Sequence, residues 1–307
     1  MVVGSMAEFY EIFCERIKDR VLEHLIFIEY DLKNGKYNKY HHENNEDASS
    51  KIGNLLKEYL PYCVYSEQEF IEWYEKGQFD DLDKMIKVIK KNRLPNRHGD
   101  QNGIYSETLL DLLIMLKNPN TKKACIRTVH RQRTDNNEIK GFDSVHMLKN
   151  KNEILLILGQ AKLGDRTYCI NKIKEDLEKM DFLYTYDELT FIVDKRLCVD
   201  SEIKDILSEL NDLFFDLVDK SVEERRDELE KYFEMKNINI IVPCLLAYEK
   251  KSIYTQDFDN QFEAEIKSII NSVKDYKCAL NLNTKLMFMF FPIYSKSDLR
   301  KGMGIDE

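Results

Sequence analysis

The sequence predicts a mixed α/β protein, with a central mixed sheet flanked by helices and a mainly helical region before it. Three observations carry this. Residues 104–180 read as helix, strand, strand, strand, helix. Two later runs, NINIIVPCLLA (237–247) and LMFMFFPIY (286–294), have the apolar density of buried strands. The first hundred residues carry apolar stripes at helical spacing.

In chain order, residues 7–25 place Phe9, Ile12, Phe13, Ile17, Val21 and Leu25 on one helical face. HLIFIEYDL follows as a strand, turned at Lys33, Asn34 and Gly35. Residues 37–45 are polar and low in aliphatics, which predicts an exposed loop; adjacent His41 and His42 there lack the partners a metal site needs. A helix from Ser49 carries Ile52, Leu55, Leu56, Tyr59 and Leu60 and is expected to end at Pro61. Ser66 with Glu69 forms a capping box ahead of Phe70, Ile71, Trp73 and Tyr74. A third helix, 81–91, turns Met85, Ile86 and Ile89 inward and four lysines outward. The stretch 92–102 has no period and several breakers, so the expected division is an N-terminal helical region, 6–100, and a core domain, 101–307. Residues 1–5 (MVVGS), ahead of Met6, read as a vector remnant.

The core opens with a leucine-packed helix, 104–117, ended by Pro119 and Asn120. Strand 124–129, a turn at 135–138, a strand headed by Asp143, a turn at 149–152 and the apolar strand EILLIL (153–158) follow. Gly159 is expected to break that strand. Helix 166–180 packs through Tyr168, Ile170, Ile173 and Leu177; 182–193 suggests a further strand, and 201–234 is charged and helical. Pro243 is expected to bulge or end its strand. A loop at 248–259, a helix at 262–276 and a tail at 299–307 complete the chain.

The chemistry concentrates between Gly141 and Leu163. Gln160 and Lys162 lie two residues apart, so they project from one face of a strand. If the Asp143 strand pairs as a hairpin with this one, Asp143 joins them. A carboxylate and a second oxygen ligand can hold Mg²⁺, or Mn²⁺, with water and substrate phosphate completing the shell. The lysine can orient water and offset charge in phosphodiester hydrolysis. His146 and Ser144 face the other way, and Glu153 lies at the far end of its strand. Residues 121–174 hold twelve Lys and Arg against five Asp and Glu, with Lys122, Lys123, Arg127, Arg131 and Arg133 just before the Asp143 strand. Such a window suits a phosphate-binding cleft, and equally a set of solvated charges. Lys172 and Lys174 on the following helix are further phosphate candidates.

The spacing D-(x)16-Q-x-K resembles the metal site of the PD-(D/E)xK nucleases, whose core also opens helix, three strands, helix. Within that superfamily, GFDSVHM, LGQAK and FFPIYSKSDL resemble the HamA family, nuclease-like effectors of the bacterial Hachiman anti-phage system, over residues 103–299. The resemblance implies a metal site of Glu107, Asp143 and Gln160, with Lys162 as the catalytic lysine. Glu107 enters by its place on the helix before the first core strand; an acid in a helix's first turn, favoured by the dipole, reads the same way, and Asp111 is a weaker candidate. The resemblance further implies DNA cleavage and a HamB-like helicase subunit that restrains it in a heteromeric complex; few base-reading features are evident, so cutting is expected to be independent of sequence. Those families usually carry Glu where this chain has Gln160. With a vector remnant present, Gln160 reads as an engineered inactivation or as a native ligand. The competing reading is a weak or inactive nuclease fold that binds DNA or the helicase partner.

Composition bounds the rest. No apolar run reaches the roughly 18 residues of a membrane span, and no signal peptide is visible, so no membrane role and a cytoplasmic setting are expected. Seven widely spaced cysteines read as reduced thiols rather than a disulfide frame or zinc site. The net charge of −9 argues against a surface coated for nucleic acid. Neither glycine-rich nucleotide fingerprint is present.

Overall fold

The computed structural model describes residues 6–30, 36–94, 102–118, 120–125, 141–150, 152–194, 201–280 and 282–305. The chain is mixed α/β. Seven strands, β1 (Leu25–Tyr30), β2 (Tyr37–His42), β3 (Lys122–Cys125), β4 (Ser144–Asn150), β5 (Glu153–Gly164), β6 (Ile238–Glu249) and β7 (Thr284–Ile293), form one sheet ordered β1-β2-β7-β6-β5-β4-β3. The central four, β2, β7, β6 and β5, run parallel, and antiparallel pairs close both edges.

Alternation along β5 sorts the two cores. Ile154, Leu156 and Leu158 face one side, where α7 (Arg166–Lys179), α8 (Phe182–Asp194), α9 (Ser201–Asp216), α10 (Val222–Met235) and α11 (Phe258–Val273) pack. Ile157, Ala161 and Leu163 face the other, against the N-terminal helices α1 (Met6–Phe13), α2 (Asp19–His24), α3 (Ala48–Val64), α4 (Glu67–Glu75), α5 (Leu82–Asn92), α6 (Gly103–Lys117) and the closing α12 (Lys296–Met303). A π-helical turn, Cys14–Lys18, joins α1 to α2. The expected junction near residue 100 falls on 95–101, outside the described residues; on either side of it the chain shares one sheet and one core.

Several elements depart from expectation for identifiable reasons. Residues 37–42 form the buried strand β2 rather than an exposed loop. Its side chains are aromatic and polar, not aliphatic, and find partners: Lys39 with Glu263, Asn38 with Lys117, and His41 against the Phe258 and Phe262 rings. The helix at Pro61 continues to Val64, because burial of Tyr62, Cys63 and Val64 outweighs the backbone bond that proline removes. The 182–193 stretch is helix α8; Phe182, Tyr186, Leu189 and Val193 recur at helical spacing, and Asp181 accepts the Tyr184 N–H at its start. The charged 201–234 segment is two helices, the second capped by Ser221 with Glu224. The closing tail is helix α12, which crosses α3 at glycine on glycine. A Cβ at Gly53 would meet the Leu299 carbonyl oxygen at 2.2 Å, and one at Gly302 the Ser50 oxygen at 2.2 Å. The first core strand begins at Lys122, two residues early; its expected end, the 135–138 turn and His98 lie outside the described residues.

Candidate active site

Gly159 does not break β5, which runs unbroken from Glu153 to Gly164. Glycine stands there because α6 lies close: a Cβ would come within 2.7 Å of Leu110 Cδ2 and 3.2 Å of Ser144 Cβ. Pro243 neither bulges nor ends β6, which pairs continuously with β7 through Pro243 and Met287. It does interrupt the ladder to β5. Pairing holds at Ile157 with Ile241 and resumes at Gln160 with Cys244 in the same register, and between them proline has no N–H to donate.

The β4–β5 hairpin then ends at a fixed point. Ser144 pairs with Gly159, and the Asp143 N–H donates to the Gly159 oxygen at 2.9 Å. Beyond that the Ala161 N–H has lost its strand neighbour. The Asp143 carboxylate replaces it, with Oδ2 accepting from Ala161 N at 2.7 Å. The same oxygen lies 3.4 Å from Lys162 Nζ. Gln160, only 4% exposed, shares the face of Lys162 by alternation.

Lys162 has a second carboxylate. Asp176, on α7, places Oδ2 2.7 Å from Nζ. Burial alone would lower the lysine pKa, but the Asp143 and Asp176 carboxylates outweigh it and hold the ammonium above its ordinary range. Lys162 is therefore a fixed cation and hydrogen-bond donor, not a base. Asp176 escaped the sequence reading, although a signal exists: it stands three residues after Ile173 and seven after Cys169, an acid on the stripe that faces the sheet.

The opposite face of β4 holds a separate buried polar cluster. Ser144 Oγ and His146 Nδ1 are 2.9 Å apart, and His146 Nε2 lies 3.2 Å from Asp111 Oδ2. Tyr59 donates to Asp111 Oδ1, and Lys123 Nζ approaches it at 3.7 Å. Burial would raise the Asp111 carboxyl, yet Lys123 and His146 overcome this and hold it below the carboxylate range. These residues are enclosed, so the cluster ties β3, β4, α3 and α6 together rather than meeting a substrate.

Of the sequence-predicted residues, Asp143, Gln160 and Lys162 lie on one side of the sheet. Glu107 is buried on α6, the helix that packs on the opposite face of β5; its neighbour Ser106 reaches the Ala161 oxygen at 3.5 Å. Lys122 and Lys123 are buried, not part of a basic surface, while Arg127, Arg131 and Arg133 lie outside the described residues. Lys172 and Lys174 point outward and pair with Glu175 and Glu178. Tyr168, expected to pack on the sheet, is 47% exposed. His42 is structural: its Nε2 meets Ser49 Oγ at 3.1 Å and accepts the Tyr294 N–H at 3.0 Å. Glu153 accepts from Asn239 at 2.9 Å.

Among the described residues no three of His, Cys, Asp and Glu form a group fit for a metal ion. The donors on the Lys162 side are one carboxylate, Asp143, and one amide, Gln160. Mg²⁺ keeps several waters and takes one or two carboxylates plus substrate oxygens, so this set fits a weakly held ion and not a closed protein cage. No described helix is long and apolar enough to cross a membrane, and Cys14, Cys63, Cys169, Cys244 and Cys278 are free thiols.

No curated protein matches the chain. The HamA family model matches residues 15–304, which runs from within the π turn through α12. The chain belongs to the HamA family, and with it to anti-phage defence.

Proposed function

We propose that this protein is a metal-dependent, sequence-independent DNA nuclease, restrained by a helicase partner in a heteromeric complex. The observation that carries the reading is the contact between Asp143 and Lys162 at the point where β4 leaves β5. A carboxylate oriented by a backbone N–H and an ammonium that stays charged are the two groups phosphodiester hydrolysis asks of a protein.

Asp143 and Gln160 would hold Mg²⁺ or Mn²⁺, which when bound supplies charge stabilisation and a more acidic water. Lys162 donates to a phosphate oxygen or to the attacking water and offsets the charge that builds as water adds to phosphorus. Asp176 keeps that ammonium in place. In this reading the named groups act on metal and phosphate rather than on base edges, so cleavage is independent of sequence. The partner rests on family membership. Exposed Phe215, Val218 and Met235 around the α9–α10 hairpin are apolar side chains that a protein surface would cover.

A second reading, a module that binds DNA or its partner without cutting, draws on two observations. Gln160 brings no charge to the metal, and Lys162 is already matched by two carboxylates. Nicking of supercoiled plasmid in Mg²⁺ or Mn²⁺ separates the readings. The nuclease reading expects nicking that both Asp143→Asn and Lys162→Ala abolish; nicking that survives both assigns the activity to a contaminant.

A further inference from the structure

Gln160, Lys162 and Gly164 occupy successive positions on one face of β5. At the third the side chain is missing, and another residue fills its place. A Cβ on Gly164 would meet Tyr168 Cδ1 at 2.7 Å and Cε1 at 3.2 Å, so the tyrosine ring lies against the strand backbone where that side chain would stand. The ring belongs to the first turn of α7, immediately after the strand. Same-face positions in a strand are about 7 Å apart, twice the rise per residue. The strand position that the ring fills therefore follows that of Lys162 by a spacing of roughly one nucleotide step of an extended strand. It is 47% exposed, whereas the neighbouring α7 residues Cys169, Ile170 and Ile173 are buried.

An aromatic ring packed against the strand backbone at Gly164, about half open to solvent and beside a fixed cation's strand, is a stacking platform for a base. Inside a duplex both faces of a base are covered by its neighbours. Only an unpaired or terminal base offers a face to the ring.

We propose that Tyr168 stacks an unpaired base next to the phosphate held at Lys162, so that the preferred substrate is single-stranded DNA or a frayed end. This rests on the nuclease or DNA-binding reading of the Asp143–Lys162 site and names the substrate class that site takes. Arg166, two residues before the ring, is engaged by Glu265 at 2.7 Å and Ser268 at 3.0 Å, so the platform and not a further cation supplies the discrimination.

The test uses the full chain in EDTA, which keeps the DNA uncut, with a fluorescein-labelled dT20 strand and a blunt 20-base-pair duplex as probes in an anisotropy titration. Tyr168→Ala is expected to weaken dT20 binding about tenfold, the range for one base–aromatic stack, and duplex binding less than twofold. Tyr168→Phe, which keeps the ring and loses the hydroxyl, is expected to bind as the parent does. Should Tyr168→Ala not fold, Tyr168→Trp in a Trp73→Phe background serves instead, with indole fluorescence quenched by dT20 and not by duplex. Equal binding by Tyr168→Ala and the parent, equal losses on both probes, or an unquenched Trp each overturn the proposal and leave the Lys162 site standing. A parent chain that binds neither probe overturns the site reading and this inference together.

Discussion

Lys162 is the residue on which the chemistry turns, and its setting makes two predictions. Asp176→Asn removes the charge of the 2.7 Å partner and leaves Asp143, at 3.4 Å, as the carboxylate paired with the lysine. The ammonium loses part of its positioning, and cleavage is expected to fall about tenfold, a positioning effect below the loss of an oriented donor itself. The lysine pKa, followed by NMR of the labelled ammonium, should move down toward its ordinary value. Gln160→Glu adds the charge that the amide lacks. About 3 kcal/mol of transition-state stabilisation is at stake, roughly a hundredfold in rate, together with a lower Mg²⁺ requirement in a metal titration. Alternation along β5 made Gln160 and Lys162 legible from the sequence, and the expected hairpin of β4 with β5 added Asp143. Asp176 was not, because its contact runs from helix to strand and only the packing of α7 reveals it.

At the scale of elements, glycine marks where two backbones approach, not where strands stop. Gly159→Ala forces Leu110 and Ser144 aside, and a loss of about 1–3 kcal/mol is expected in denaturant unfolding, typical of overpacking. Gly302→Ala meets backbone at 2.2 Å, which no rotamer can relieve, so its loss should exceed that of Gly159→Ala. Capped and strongly periodic elements were readable: the Ser66–Glu69 box, helices α5 and α6, and the hairpin β4–β5. Strand β2 was not, because its burial is secured by polar pairs with residues more than 70 positions away, Lys117 and Glu263. Helix α8 and the passage of α3 through Pro61 were missed for a related reason: tertiary burial overrides local propensity.

For the whole molecule, His42 joins strand β2 to the end of β7 and to α3 through Tyr294 and Ser49. Burial pushes its imidazole down to about 4, against 6.5 in an open chain. Above pH 6.5 both states are neutral and the fold keeps its full stability. As pH falls from 6.5 toward 4 the unfolded chain takes up a proton that the folded one refuses, at a cost of up to about 3 kcal/mol. His41, lowered in the same direction by burial, adds to the slope. Urea unfolding of His42→Gln should therefore show a flatter pH dependence between 6.5 and 4 than the parent. The sheet that His42 helps close positions the Asp143–Lys162 centre, and whether that centre cuts DNA is best tested by one comparison: nicking of supercoiled DNA in Mg²⁺ by the chain as it stands, by Gln160→Glu and by Lys162→Ala, side by side. The expected order is Gln160→Glu fastest, the parent slower by about a hundredfold, and Lys162→Ala at background. No cleavage by any of the three, with or without a helicase partner, would contradict the nuclease account and leave a DNA- or partner-binding fold in its place.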